Sequence, residues 1–454
     1  VEQKPEEIYS SVLTAVKECL SRLRHRDSKA AIAACGIANQ RETFCLWDSE
    51  GRPLHNAVSW QCKRSIDLCR EIKKEEKQIR ERTGLLADPY FSASKVSWLA
   101  RHSETVHGVL RSGGLRFGTV DTWLLYRLSG GCAYHTDYTN ASRTLLFNIK
   151  SLDWDNELLD LFSLRDLLLP EPSSSSSAFG WSNFEGLLDS PVPITALIGD
   201  SHSAAYGECC FSAGEGKVTI GTGSSVLMNI GTRPLPPAPG LVSTICFSDP
   251  ESLDYGQEGI IVSSGATLKW LKDSLGLFTD FSECEQSADS VDSNAGVYLV
   301  PAFAGLGAPY WYMDARACIC GLSFESDKRH LLRAGLESIA YQIADTVFPM
   351  ASGGEQKLLR LSVDGGGSTN RFLMQFLADL LGVPVDRIGF PDVTALGAAY
   401  LAGRHIDYYG SRKDLEKLRV PGSRYTPSKR HATVMKYYKG WKAAVRTVTA
   451  GAEE

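Results

Sequence analysis

No apolar run in this chain approaches the ~20 residues needed to span a bilayer. Residues 1 to 30 hold no charged segment leading into an apolar one of the signal-peptide kind. The expected location is the cytoplasm, with no transmembrane segment. Positive charge is not in excess: the net charge is -5, which lacks the clustered basic surface that a nucleic-acid partner requires. The 12 cysteines include the neighbours Cys209 and Cys210 and the near pair Cys318 and Cys320, but no CxxC repeat and no Cys/His set at zinc spacing. Most are expected to be buried thiols of a reduced compartment, and no residue is assigned as a metal ligand. Also missing are a GxxxxGK[ST] loop, a GxGxxG turn and a GxSxG elbow. Asp200, Ser201 and His202 are consecutive. Three adjacent residues do not converge as a triad, so a serine hydrolase is not expected.

What is present suits a cleft enzyme. A chain of 454 residues, with 43% hydrophobic and 22% charged residues, exceeds what one core usually serves. Two domains are expected, 1–206 and 207–454, with substrate between them. The spacing of Val12, Val16, Cys19, Leu20 and Leu23 predicts an amphipathic helix over 6–23 with no strand before it. Lys29 to Ile37 reads as a buried strand of a parallel or mixed sheet, and the charge-rich segment Arg64 to Arg82 as a helix with a solvated face. The serine tract Ser173 to Ser177 reads as a flexible surface loop.

Further on, Pro193 to Ile198 predicts an apolar strand running into Gly199 and Asp200. Lys217 to Ile230 predicts two strands around Gly221-Thr222-Gly223. Leu332 to Val347 predicts a long amphipathic helix, and Leu359 to Val363 a strand that ends in Asp364-Gly-Gly-Gly367 before another helix. Both glycine turns let backbone amides approach phosphate oxygens, and Ser368, Thr369 and Asn370 can cap the helix that follows. Such turns also end strands for purely structural reasons. Asp200 stands at a strand end, where a carboxylate is presented at the rim of a sheet. Arg41 and Glu42, in Asn39-Gln-Arg-Glu-Thr43, also follow a predicted strand, and guanidinium donors beside carboxylate acceptors match vicinal hydroxyls.

Taken in order, these segments resemble the glycerol kinases of the FGGY carbohydrate kinase family from Val1 to about Val445. Gly36-Ile-Ala-Asn-Gln-Arg-Glu-Thr43 is similar to the glycerol-binding motif, which places Arg41 and Glu42 on the polyol. Trp60 matches the aromatic that packs on its carbons, and Tyr90 a tyrosine that hydrogen-bonds it. The run Tyr90 to His102, with Lys95 and Trp98, resembles the first family signature, and Thr119 to Trp123 and Asp137 to Arg143 are also family-like. Ile198-Gly-Asp200 puts Asp200 at the catalytic base and Ser201 beside the polyol. Gly221-Thr-Gly223 puts Thr222 at the transferred phosphate. Gly265 and Lys269, in Ser264 to Trp270, and Gly366 and Asn370, in Val363 to Asn370, fall at nucleotide-side positions.

The resemblance implies an α/β fold of two ribonuclease H-like, actin-like ATPase domains flanking a cleft. It also implies ATP and Mg2+ as cofactors, glycerol or a related small polyol as substrate, glycerol 3-phosphate as product, and compatibility with a homo-oligomer. The family's first Asp-x-Gly-Thr-Thr loop has no counterpart from Val1 onward, so the first domain is expected to be incomplete at its start. The residues given are expected not to turn over by themselves, and the alternative is a catalytically silent binding or regulatory form. Two further departures concern the pocket. Ser201 stands where the family has glutamine and Ser225 where it has phenylalanine, so a wider, more polar acceptor site is expected. Lys269 replaces a common glutamine.

Overall fold

The computed structural model describes residues 1–352, 357–420 and 422–450. The apolar stripe near the start does form a helix, Pro5–Arg26, closed by acidic residues in its first turn and basic ones in its last. It is preceded by a short strand, Glu2–Gln3, which pairs antiparallel with Ala57–Val58. A two-residue strand carries no periodicity for sequence to reveal.

The chain builds two α/β domains. In the first, one sheet runs in the order Glu2–Gln3, Ala57–Val58, Phe44–Trp47, Arg116–Thr119, and a second in the order Ser176–Ser182, Val192–Gly199, Cys35–Asn39. The strand expected over 29–37 begins only at Cys35, and Lys29 to Ala33 are exposed. Alanine side chains carry too little apolar area to force burial. The serine tract is not a surface loop. Ser175 and Ser176 are buried, because Ser175 Oγ donates to Asp137 Oδ2 at 2.7 Å and Ser176 Oγ to the Leu401 carbonyl at 3.3 Å. The segment 64–82 divides into a helix Ile66–Glu71, a 3₁₀ turn Ile72–Glu75 and a helix Glu76–Thr83.

The second domain rests on a seven-stranded mixed sheet in the order Val242–Ser248, Leu253–Ile261, Ser224–Gly231, Glu215–Ile220, Arg360–Asp364, Val385–Arg387, Arg424–Tyr425. The helix Lys328–Ser352 crosses it and is buried along most of its length, unlike the amphipathic helix expected there. Among the described residues no helix is long and apolar enough to cross a membrane.

One crossing joins the two halves with main chain close against main chain at several points. The helix Val393–His405 lies on the helix Asp200–Gly207 and on the strand Cys35–Asn39. A Cβ at Gly397 would stand 1.9 Å from the Ser203 carbonyl oxygen, one at Gly207 2.3 Å from that of Val393, and one at Gly36 2.4 Å from that of Ala398. Glycine is required at all three by the approach of backbone to backbone.

Candidate functional site

Two parallel strands set up the site. Cys35–Asn39 and Val192–Gly199 pair with Asn39 opposite Gly199, so the segments leaving them emerge side by side. One is the turn Gln40–Thr43, with Glu42 at φ 57°; the other is the helix Asp200–Gly207. A Cβ at Gly199 would lie 2.6 Å from Arg41 Cγ, so glycine there lets the arginine pass. The turn is braced from behind. Asn39 and Asn140 exchange side-chain amide bonds at 2.9 and 3.1 Å, and the Gly199 amide donates to Thr139 Oγ1 at 2.9 Å.

Charges then alternate through the interior. Arg143 Nε bonds Glu42 Oε1 at 2.7 Å, Arg143 Nη1 approaches Glu258 Oε2 at 2.8 Å, and Arg41 Nη2 lies 2.7 Å from Glu258 Oε1. Arg41 Nε reaches Asp200 Oδ1 at 3.3 Å. Glu42, Arg143, Glu258 and Arg41 are almost wholly shielded, while the Asp200 side chain is 48% exposed. Asp200 is therefore where the row opens to solvent.

Burial pushes the Glu258 carboxyl up, but the guanidiniums of Arg143 and Arg41 outweigh it and hold the group well below the usual range. At Glu42 burial prevails over the same two arginines and the pKa rises. His202 is fully buried. Burial and then Arg41 drive its pKa far down, so the ring is neutral, its Nε2 3.4 Å from Thr244 Oγ1 and its Nδ1 without a partner.

These groups back a cavity of about 1110 Å³ between the two domains. Seven expected site residues line it: Arg41, Glu42, Trp60, Tyr90, Asp200, Ser201 and Thr222. The Trp60 and Tyr90 rings meet at 5.5 Å between centroids, tilted by 58°. Ser225 Oγ donates its proton to Glu258 Oε1 at 2.9 Å, so in the 2.9 Å contact between the two serines Ser201 is the donor. That contact joins a helix of the first domain to a strand of the second.

Thr222 is exposed at the tip of the hairpin formed by Glu215–Ile220 and Ser224–Gly231. Behind it the Gly265 amide donates to the Gly221 carbonyl at 2.9 Å, and a Cβ at Gly265 would meet that oxygen at 2.6 Å. Strand Arg360–Asp364 runs parallel to Glu215–Ile220, which sets Gly365, at φ 80°, against Ile220. The two glycine turns are thus neighbours.

Gly265, Lys269, Gly366 and Asn370 are not among the residues lining the cavity. Gly265 braces the turn, Lys269 is exposed on the helix Gly265–Asp273, nothing stands within 4 Å of a Cβ placed at Gly366, and Asn370 caps the helix Arg371–Leu381 through the Leu373 amide at 2.8 Å. The sequence reading missed Glu258 and Arg143, and also Lys217, Thr219, Lys73 and Trp311, which line the cavity. Glu258 had a visible signal, a carboxylate inside the strand Leu253–Ile261.

Comparison with known proteins identifies the family. Residues 1–207 match the N-terminal domain, and residues 216–406 the C-terminal domain, of the FGGY family of carbohydrate kinases. The chain belongs to that family. Glycerol kinase of Brevibacillus brevis is 43% identical over 99% of this chain and 90% of its own length. Glycerol kinase 1 of Thermotoga maritima is 44% identical over 98% of this chain and 91% of its own. The crystal structure of Plasmodium falciparum glycerol kinase with ADP is 34% identical with a TM-score of 0.92, covering 98% of this chain and 90% of that one. Gluconate kinase from Lactobacillus acidophilus, 20% identical with a TM-score of 0.88 over 99% of this chain and 90% of its own, shares the fold.

Proposed function

We propose that this protein is a cytoplasmic glycerol kinase that transfers the terminal phosphate of ATP to glycerol, giving glycerol 3-phosphate and ADP. The likeness to glycerol kinases along nearly the whole chain supports this catalytic reading over the silent one. The observation that carries the site assignment is Arg41. With Glu42 it lines the cavity wall, and its Nε lies 3.3 Å from the half-exposed carboxylate of Asp200. A guanidinium presented together with carboxylates matches the donor and acceptor needs of vicinal hydroxyls.

In this reading Arg41 and Glu42 hold vicinal hydroxyls, and Trp60 covers the carbon chain with Tyr90 beside it. Asp200 receives the proton of the attacking hydroxyl, in the role of a positioned base. Thr222 and the amides of its turn hold the phosphate oxygens, with Gly265, Lys269, Gly366 and Asn370 on the nucleotide side. The open turn, with its exposed hydroxyl and adjacent glycines, fits a phosphate chain. Magnesium would accompany the nucleotide, held mainly by its phosphates, and supply charge neutralisation. The test is ADP formation as a function of glycerol, with the product identified by phosphorus NMR and glycerol binding followed separately by calorimetry. Glycerol-independent ADP release, with no heat of glycerol binding, would sink the assignment.

A further inference from the structure

Lys95 is a fully buried lysine that the reaction outlined above does not use. Its ammonium sits behind the aromatic wall of the cavity and donates to the Tyr90 carbonyl at 2.8 Å and to the Ser59 carbonyl at 3.4 Å. These carbonyls belong to two separate loops. One presents Tyr90; the other presents Trp60, the residue directly after Ser59. Other bonds hold each loop separately: the Ser59 carbonyl also accepts from the Cys62 amide at 3.0 Å, the Trp60 amide donates to Thr43 Oγ1 at 3.2 Å and the Tyr90 amide to Asp88 Oδ1 at 2.8 Å. None of these ties one loop to the other. Ser92, at the start of the same helix, donates to the Glu42 carbonyl at 2.8 Å, so the helix Ser92–His102 addresses all three segments of that wall.

We propose that Lys95 is a positioning residue for the acceptor, its ammonium tying the Trp60 loop to the Tyr90 loop and so setting the width of the polyol end of the cavity. The proposal rests on the glycerol reading of that end. Its chemistry is that of a charge-assisted bond to two carbonyls, stronger than the neutral equivalent.

The clamp is also sensitive to pH. Burial draws the Lys95 pKa down to about 8, against the opposing pull of Glu42, Cys62, Asp88 and Cys69, which face it from the surrounding loops and from the helix Ile66–Glu71. Arg41 and Arg143 lie beyond Glu42, and Lys63 and Lys73 beyond Asp88. As pH rises through about 8 the ammonium loses its proton, and both carbonyl bonds lose their charge assistance. Glycerol KM then rises while kcat, set by Asp200 and Thr222 elsewhere in the cavity, changes little.

The experiment compares wild type, Lys95→Met and Lys95→Arg between pH 6.5 and 9. The wild-type KM for glycerol should climb above pH 8. Lys95→Met should have a KM raised roughly tenfold already at pH 7, with kcat within about twofold. Lys95→Arg, charged throughout, should keep a KM near the wild-type value at pH 7 and free of the climb. Labelling with 5-fluorotryptophan gives a readout that needs no substrate, and comparison with Lys95→Arg separates Lys95 from the Cys62 thiol, whose pKa is lowered because the upward push of burial is outweighed by Arg64. The Trp60 fluorine resonance, assigned by its absence in Trp60→Phe, should shift in wild type with a midpoint near 8. A Trp60 resonance invariant over that range, or a Lys95→Met KM equal to wild type, overturns the proposal. Should glycerol not bind at all, the glycerol reading fails, and the fluorine titration still decides whether Lys95 sets the ring: a shift near pH 8 in wild type that is lost in Lys95→Arg supports it, and one that persists in Lys95→Arg overturns it.

Discussion

Glu258 is the shared countercharge of two buried arginines, and replacing it by glutamine tests the whole buried row. The carboxylate accepts from Arg41 at 2.7 Å, from Ser225 at 2.9 Å and faces Arg143 at 2.8 Å, with no exposure to solvent. Glutamine retains one oxygen for Ser225 and turns an amide NH2 towards a guanidinium, donor against donor. Both arginines lose their shared countercharge and are left with Glu42 and the half-exposed Asp200. Breaking a buried ion pair in this way costs about 3–5 kcal/mol, a large share of the roughly 5–15 kcal/mol that holds a folded protein together. Urea unfolding followed by circular dichroism should show a clearly lowered midpoint, and calorimetry a weakened glycerol interaction, since Arg41 is no longer held. The deficit should be largest at neutral pH. Glu258 is depressed in the folded state, so its stabilisation is present above its unfolded value and is lost as pH falls; the gap between variant and wild type should narrow below about pH 4.5. An unfolding midpoint equal to wild type at pH 7 would show that the row contributes nothing and that its geometry has been overinterpreted.

Asp200→Asn should leave glycerol binding largely intact and lower kcat by on the order of 10² to 10⁴, as expected for a positioned general base; unimpaired turnover removes Asp200 from the chemistry. Ser201→Gln with Ser225→Phe should lower the glycerol KM and narrow the acceptor range, because a phenyl ring returns ~150 Å² of apolar contact at ~25 cal/mol per Å², offset by loss of the Ser225 bond to Glu258. Unchanged kcat/KM ratios between glycerol and larger polyols would take both serines out of the pocket. Asp121 is buried beside Asp137 and accepts from Thr119 at 2.5 Å and Thr136 at 2.7 Å. Burial and the Asp137 charge raise its pKa to about 7, so the stability this group confers is full below its unfolded value and declines as pH rises towards 7. Asp121→Asn should therefore gain on wild type between pH 4 and 7, by up to about 4 kcal/mol, and a gain that does not vary with pH would contradict the raised value.

Sequence was most informative where the backbone does the work. Gly221-Thr222-Gly223 and Gly365 to Gly367 lie at strand ends as expected; at Gly223 and Gly365 a Cβ would meet a backbone carbonyl at 2.5 and 2.6 Å, an approach that only glycine permits, and glycine is visible in a sequence. Asp200 was equally legible from the apolar strand before it. The ion row was not. Arg143 and Glu258 find each other across more than a hundred residues, and nothing local in either segment names its partner. The serine tract misled for a related reason: Ser175 is buried only because Asp137, far away in the chain, offers an acceptor. Lys29 to Ala33 failed differently, since apolarity without bulk does not draw a segment into the interior.

The crossing of Val393–His405 over Asp200–Gly207 bears on how the aspartate is held. Where helices usually meet through interdigitated side chains, small relative shifts are absorbed by rotamer changes. Here Gly207 and Gly397 bring main chain against main chain, and Ser203 Oγ donates to the Thr394 carbonyl at 2.6 Å in the same contact. At those two points no rotamer change can take up a shift. A displacement of one half relative to the other therefore meets, at these two points, nothing that can yield before the helix that carries Asp200, so the alignment of that carboxylate depends on two glycines as well as on the groups that surround it.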